Sequence, residues 1–588
     1  MRLLAYTRKG KRQFAAVQNA MHLALEQDGA FVPLKNNTGI LYPEASFKKD
    51  AGKGKTKTLL RPWLYRRADG TFGIACILTG ENERDEESLG SIAFYSSPDL
   101  VSYAFKGLLF VGGSPTCAHC RYDETTKQYR LEWLSKGKYY CMETPEECTP
   151  TEIRRIAAFS ETPPRAECKD AIVGSAIDIT EAEAEVLKTH FARIRHVANA
   201  PMEISVKAGE AYELPKATLY YSDGSAHEKP VVWDALPETK KKGVYYAEGT
   251  IRQPHYPFPF FAEHVSDPCL RYYRNRYYFC CTGMRNVRFK VAERIEDLPQ
   301  AEDKIVWKLP ESDKTHYNIW AQELHIIRGV PYVFTTVGHK QWYTVRSHIL
   351  RCKGDIENPD DWEEPRLVVR KDGTELNPDG ISLDMTYFEA AGKHYVMWSD
   401  RVIRRKGGRI CPDSANLLLA EIDPGAPWQL TSDPVCIYKP LYGWDRLDTE
   451  VAEGPFLLRR GKRLYITYSG SSTAKADLYC LGLLWAEEGD NLLDPSVWKT
   501  LPYPVLNKES VAGQFGPGHN TFIKDTETGD DILVFHAVPH DKRGKSLGRK
   551  MALRRVHWGK NGFPYFEMTE EEDVAPDLRR VKCKIIVE

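Results

Sequence analysis

Residues 451–470 read VAEGPFLLRRGKRLYITYSG. Glu453 stands in a Glu-Gly-Pro turn, followed by an apolar run, the basic turn RRGK and a run rich in Tyr, Ile and Thr. Two strand-forming runs around a Gly-containing turn predict an antiparallel hairpin. A solvated glutamate needs no such mounting. An acid that must deliver its proton in one direction does: proline locks φ beside it, and glycine clears space.

The pattern recurs. Asp267 precedes a similar pair in VSDPCLRYYRNRYYFCCTG (265–283), and Asp384 in GISLDMTYFEAAGKHYVMWS (380–399). In a β-propeller the innermost strand of each blade starts near the axis, so equivalent acids from several blades converge on one funnel. Any one of these acids reads most simply as a turn cap. Three in matched settings point to acid/base chemistry, because like charges held together push one pKa up and keep one acid protonated near neutral pH. Glycoside hydrolysis uses such a pair.

The rest of the chain is β-rich as well. Runs such as YRLEWLS, PYVFTTVG and KHYVMWSD lie between turn residues. An early stretch, LLRPWLYRRADGTFGIACI (59–77), echoes the Asp267 stretch with Arg61 in place of the acid, as in a blade without its carboxylate. The clearest helix is expected over 180–195, opened by Thr180 and Glu183 in capping-box spacing. Residues 202–234 alternate, carry an SDG turn and end in Val231-Val232-Trp233; they resemble a bacterial immunoglobulin-like module.

With 588 residues, two to four domains are expected. The 81 basic and 81 acidic residues leave no net charge, which argues against a nucleic-acid partner. No apolar run reaches the roughly 18–20 residues of a membrane span. The apolar run at the start of MRLLAYTRKGKRQF is too short for a signal peptide, so the expected location is cytoplasmic. The 14 cysteines are scattered. Cys117 and Cys120 in CAHC, with Cys141 and Cys148, are weighed as a zinc site against ordinary buried thiols; the second pair is spaced too widely for the usual knuckle.

The stretch from about 255 onward resembles glycoside hydrolase family 43, five-bladed propeller enzymes acting on arabinose- and xylose-containing glycans. The matching motifs are SDPCLRYY, IWAQELHII, SLDMTYFEAAGKHYVMWS, VAEGPFLLRRGKRLYITYS and FGPGHNTFI, with LVFHA close behind. The resemblance implies an inverting mechanism with Asp267 as general base, Glu453 as general acid and Asp384 tuning and orienting the acid. Inversion leaves room for a water, with the base and acid carboxylates about 6.5–9.5 Å apart. It further implies Trp320, Glu323, His325, His536 and Arg549 around the sugar, and His519 as a candidate calcium contact at the propeller centre. No cofactor is required. Met385 and Ala452 depart from the residues common in the family and are expected at the sugar, where they would leave its identity open. Residues 21–44 and the blade-like segments after them resemble N-terminal segments of some longer members, expected to wall one side of the funnel and favour cleavage from chain ends.

The resulting expectation is a mostly β chain: an N-terminal β-rich accessory domain (1–197), an immunoglobulin-like module (198–252) and a five-bladed propeller (253–588). Its implied activity is exo-release of terminal α-L-arabinofuranosyl residues from hemicellulose-derived oligosaccharides. The alternatives are β-xylosidase, exo-galactanase and a sugar-binding propeller without catalysis; the presence of all three acids argues against the last.

Overall fold

The computed structural model describes residues 1–47, 54–80, 85, 87–313 and 315–588. Five antiparallel sheets succeed one another between residues 269 and 555. Their innermost strands are Cys269–Tyr273 (blade 1), Glu323–Ile327 (blade 2), Gly380–Ala390 (blade 3), Ala452–Arg460 (blade 4) and Phe515–Lys524 (blade 5). Each inner strand packs beside the next, and that of blade 5 returns to blade 1, closing a five-bladed propeller. Across the closure the Thr521 hydroxyl donates to the Pro268 carbonyl at 3.2 Å. The ring leaves the inner strand edges facing the central channel, short and protected.

The hairpins form where the turn residues said they would. Arg274-Asn275, Arg328-Gly329 and Ala391-Gly392 join the first two strands of blades 1, 2 and 3. Both residues of each pair have positive φ, the geometry whose twist matches two-residue hairpins. Apolar side chains fill the wedges between blades. Leu270 and Phe279 of blade 1, for example, meet Val534 and Met551 of blade 5.

The N-terminal domain contains three four-stranded sheets. One of them opens with Lys57–Arg66, where the register shifts between Leu60 and Trp63 and Arg61 has φ 50°. That is the backbone geometry of Asp267, at φ 58°, so the sequence echo is also a conformational one. The domain packs on blades 3 and 4: Leu3, Leu23, Phe72 and Phe191 share one core with Phe388, Met397, Trp444 and Tyr468. The linking helix, Glu181–Phe191, has the expected capping box at Thr180. It stops short of the expected 195, since Ala192 is extended and Arg193 turns to Glu572 and the Ser510 carbonyl.

The immunoglobulin-like module differs from expectation at its boundary. The strand Arg580–Val587, expected in the propeller, lies between Met202–Val206 and Gly243–Ile251 in the module's sheet. Alternation explains the assignment: Val581, Cys583, Ile585 and Val587 are buried and their neighbours more exposed, while the propeller ring is already closed. The four cysteines weighed for zinc are free thiols, with Cys117, Cys120 and Cys141 buried. His119 between them is stacked by Trp63 and Phe159 at 3.7 and 3.8 Å.

Candidate active site

Near the propeller axis every blade carries a residue in the left-handed region, among them Asp267 (φ 58°), Ala321 (φ 47°), Asp384 (φ 55°), Gly454 (φ 55°) and His519 (φ 44°). The last three lie at register shifts, between Leu383 and Thr386, Glu453 and Phe456, and Gly518 and Thr521. A bulge re-aims side chains, and non-glycine residues at positive φ store strain that clusters at functional sites. Gly454 is required twice over: by its φ, and because a Cβ there would come 3.1 Å from the His519 ring.

Three blades thereby bring Asp267, Asp384 and Glu453 around His519. His519 Nδ1 stands 3.4 Å from Asp267 Oδ1 and 3.9 Å from Asp384 Oδ2. The backbone N–H of Gly454 donates to Asp384 Oδ2 at 3.1 Å. The Tyr479 hydroxyl donates to Glu453 Oε1 at 2.8 Å. Asp267 accepts from the Thr282 hydroxyl at 2.5 Å and faces Arg549 Nη1 at 3.6 Å, while its own backbone N–H donates to His536 Nδ1 at 3.3 Å.

These surroundings drive the acids apart in ionisation. Burial alone would raise Asp267, but His519, Arg549, His536 and the Thr282 hydroxyl outweigh it and hold it at about 2. Burial raises Asp384 to about 7, reinforced by Glu453 and Asp267 and opposed by His519. Burial also raises Glu453, against His519 and the Tyr479 hydrogen bond. Burial works against the imidazolium of His519, yet the three carboxylates win and its pKa rises. The site holds one firmly ionised carboxylate beside two whose pKa is raised by burial.

A family model described as glycosyl hydrolases family 43 matches residues 256–564. The chain belongs to that family. A second model, bacterial Ig-like domain (group 4), matches residues 199–254. Relatives of the family 43 region include α-L-arabinofuranosidase 43 of Humicola insolens, 29% identical over 52% of this chain and 62% of the relative. Another is an extracellular exo-α-(1→5)-L-arabinofuranosidase of Streptomyces chartreusis, 31% identical over 46% of this chain and 79% of the relative. The α-L-arabinofuranosidase structure from Lactobacillus brevis is 27% identical, covers 51% of this chain and 93% of that one, and has a TM-score of 0.44. The chain spans about three-fifths of the length of the first curated relatives it matches. The expected cytoplasmic location is overturned, since the relatives from Streptomyces avermitilis and Streptomyces chartreusis are both named extracellular enzymes.

Within the family 43 frame, the expected sugar-binding residues divide. Arg549 and Trp320 remain partly exposed, and Trp320 Nε1 donates to Met284 Sδ at 3.1 Å. The neighbouring Ala321 N–H donates to the Thr282 hydroxyl at 2.9 Å, tying blade 2 to Asp267. Glu323 and His325, by contrast, are each 3% exposed and hydrogen-bonded to one another at 2.8 Å. They lie beneath the site and cannot grip a sugar. His536, 1% exposed, holds the Asp267 backbone. Met385 and Ala452 do not reach the sugar either: both are core residues, because neighbours along a strand face opposite sides.

At His519 the protein side chains supply at most part of a calcium shell, whose ligands can include waters. The ion takes about six to eight oxygen ligands. His519 offers one ring nitrogen turned onto Asp267, and among the described residues no group of three or more His, Cys, Asp or Glu could hold a metal ion.

Sequence reading missed Tyr479, Thr282 and Ser469, whose hydroxyl accepts the His519 N–H at 2.7 Å. Thr282 and Tyr479 stand at strand ends of the same blade as the acid each serves, and Ser469 lies in the blade next to His519, so it is strand pairing and blade packing that bring the pairs together.

Proposed function

We propose that the protein is an inverting, exo-acting α-L-arabinofuranosidase that releases terminal L-arabinofuranosyl residues from arabinose-containing oligosaccharides. The observation that carries this reading is the placement of two differently held carboxylates around one funnel: Asp267, hydrogen-bonded by Thr282 and facing Arg549, and Glu453, partly buried and hydrogen-bonded by Tyr479. Glu453, whose pKa is raised by burial, gives its proton to the departing glycosidic oxygen. Asp267, ionised, takes a proton from the water that attacks the opposite face of the ring. The transition state resembles an oxocarbenium ion, so a weakly basic carboxylate is enough to direct that water. Asp384 accepts the Gly454 N–H and keeps the backbone next to Glu453 in place. The reaction as read here needs no cofactor. The arabinofuranosidase relatives support the sugar, and the two Streptomyces enzymes named extracellular support action outside the cytoplasm.

The test is hydrolysis of 4-nitrophenyl α-L-arabinofuranoside beside the β-D-xylopyranoside, with Asp267→Ala as control and the first-formed anomer read by NMR. Arabinoside turnover that is lost in the variant, with an inverted product, is expected. Preference for the xyloside would reassign the sugar, and a retained anomer would overturn the mechanism.

A further inference from the structure

We propose that the N-terminal domain supplies the outer wall of the subsite that holds the leaving sugar, an inference that rests on the glycosidase reading above. A cleft of about 640 Å³ opens beside the acids, within the roughly 300–1,000 Å³ of small-molecule sites. Its inner side is formed by Tyr479, which holds Glu453, and by Arg549, which faces Asp267. Its outer side includes Gln13 and Phe14 of the N-terminal domain. Residues 13 and 14 lie outside both family matches, so this wall is the chain's own.

The side of the cleft follows from chemistry. The proton donor is the group nearest the departing oxygen, and the wall residue Tyr479 is bonded to that donor. The Tyr479 end of the cleft therefore lies beside what departs, while Arg549 and His536 carry its other end to Asp267. Its lining suits a second sugar: the Phe14 ring offers a face to C–H groups, and the ion pair of Asp448 with Lys475 offers its remaining hydrogen-bonding capacity to hydroxyls.

The wall is firmly seated. Phe14 and Val17 pack on the buried Ala16, Leu447 and Leu478. Lys508 Nζ lies 4.9 Å from the Phe14 ring centre. A Cβ on Gly443 would come 2.6 Å from the Ala16 carbonyl oxygen, so the N-terminal turn sits directly on a blade 4 loop.

The experiment compares methyl α-L-arabinofuranoside, which has no second sugar, with an arabinotriose. Phe14→Ala is expected to lower the ratio of kcat/KM for the trisaccharide over that for the methyl glycoside about tenfold, through KM. Gln13→Trp, which fills the cleft from an exposed position and spares the packed ring, is expected to lower the same ratio further. An unchanged ratio in both variants, or an equal loss on both substrates, overturns the inference. Failure of the underlying reading shows separately, in the wild type. If it cleaves xylosides alone, the sugar is wrong and the same ratio is taken with methyl β-D-xyloside and xylotriose. If it cleaves neither, catalysis is wrong, and calorimetric binding of trisaccharide against monosaccharide decides the subsite, with a Phe14→Ala loss confined to the trisaccharide as the supporting result and equal binding as the contrary one.

Discussion

Gly454 donates its backbone N–H to Asp384 Oδ2 at 3.1 Å, so a carboxyl of blade 3 holds the residue that follows the acid of blade 4. The two blades cannot move apart without releasing both acids. Asp384 therefore couples position and charge in one contact.

Asp384→Asn keeps an acceptor at that place and removes the charge. Loss of a nearby negative charge makes Glu453 easier to ionise, so the alkaline limb of the kcat/KM profile is expected to move to lower pH, with kcat down about 100-fold. Stability should move the other way. Asp384 is raised in the fold to about 7 from an ordinary 3.8, which opposes folding above the ordinary value, most strongly from about pH 7 upward. The variant is expected to melt higher than wild type at pH 7.5, by an amount on the order of 2 kcal/mol, and to show no such gain at pH 4. Calorimetric melting at the two pH values checks this.

Glu453→Gln removes the proton donor. The expected loss in kcat/KM is about 10²–10⁴-fold on oligosaccharides, and smaller on aryl glycosides whose leaving group departs without a proton. Equal losses on both substrates would separate Glu453 from the departing oxygen.

Tyr479→Phe removes the hydroxyl that stabilises ionised Glu453. Without it Glu453 holds its proton to higher pH, and the alkaline limb should move upward, opposite to Asp384→Asn. A pH profile of kcat/KM reads both shifts in the same assay. The same direction in both variants would contradict the assignment of the limb to Glu453.

Asp267 contributes stability at the acid end. Its folded pKa is lowered to about 2 from 3.8, so its contribution is full above the ordinary value and is lost as pH falls through about 2. Asp267→Asn is expected to cost on the order of 2 kcal/mol at pH 7 and little at pH 2, read from urea unfolding at each pH.

Removal of residues 1–197 would expose Trp444, Tyr468, Phe388 and Met397 on blades 3 and 4. Burial of each large apolar side chain is worth about 1.5–3 kcal/mol. The shortened chain is expected to be insoluble or to melt on the order of 10 °C lower, as checked by expression and thermal unfolding.

The hairpins and the three acids were legible in sequence because their signals are local: two strand-forming runs, a turn, and a carboxylate a few residues ahead. Partnerships between strands were not. Nothing in the local pattern around Tyr479 or Thr282 tells which acid it serves, because those pairings exist only once the strands of each blade are in register. Met385 and Ala452 were misplaced by reading proximity along the chain as proximity to the sugar, when adjacent strand residues point apart. The strand Arg580–Val587 has the alternation of any half-buried strand, and its neighbours are made hundreds of residues earlier.

That last pairing sets an order of events during synthesis. The ribosome makes Met202–Val206 and Gly243–Ile251 before the propeller, and Arg580–Val587 after it. The immunoglobulin-like sheet must wait, with its central strand missing, until every blade has left the ribosome. The module that begins second along the chain is thus the last to be finished, and a change in its final strand acts on a domain whose other strands were made long before.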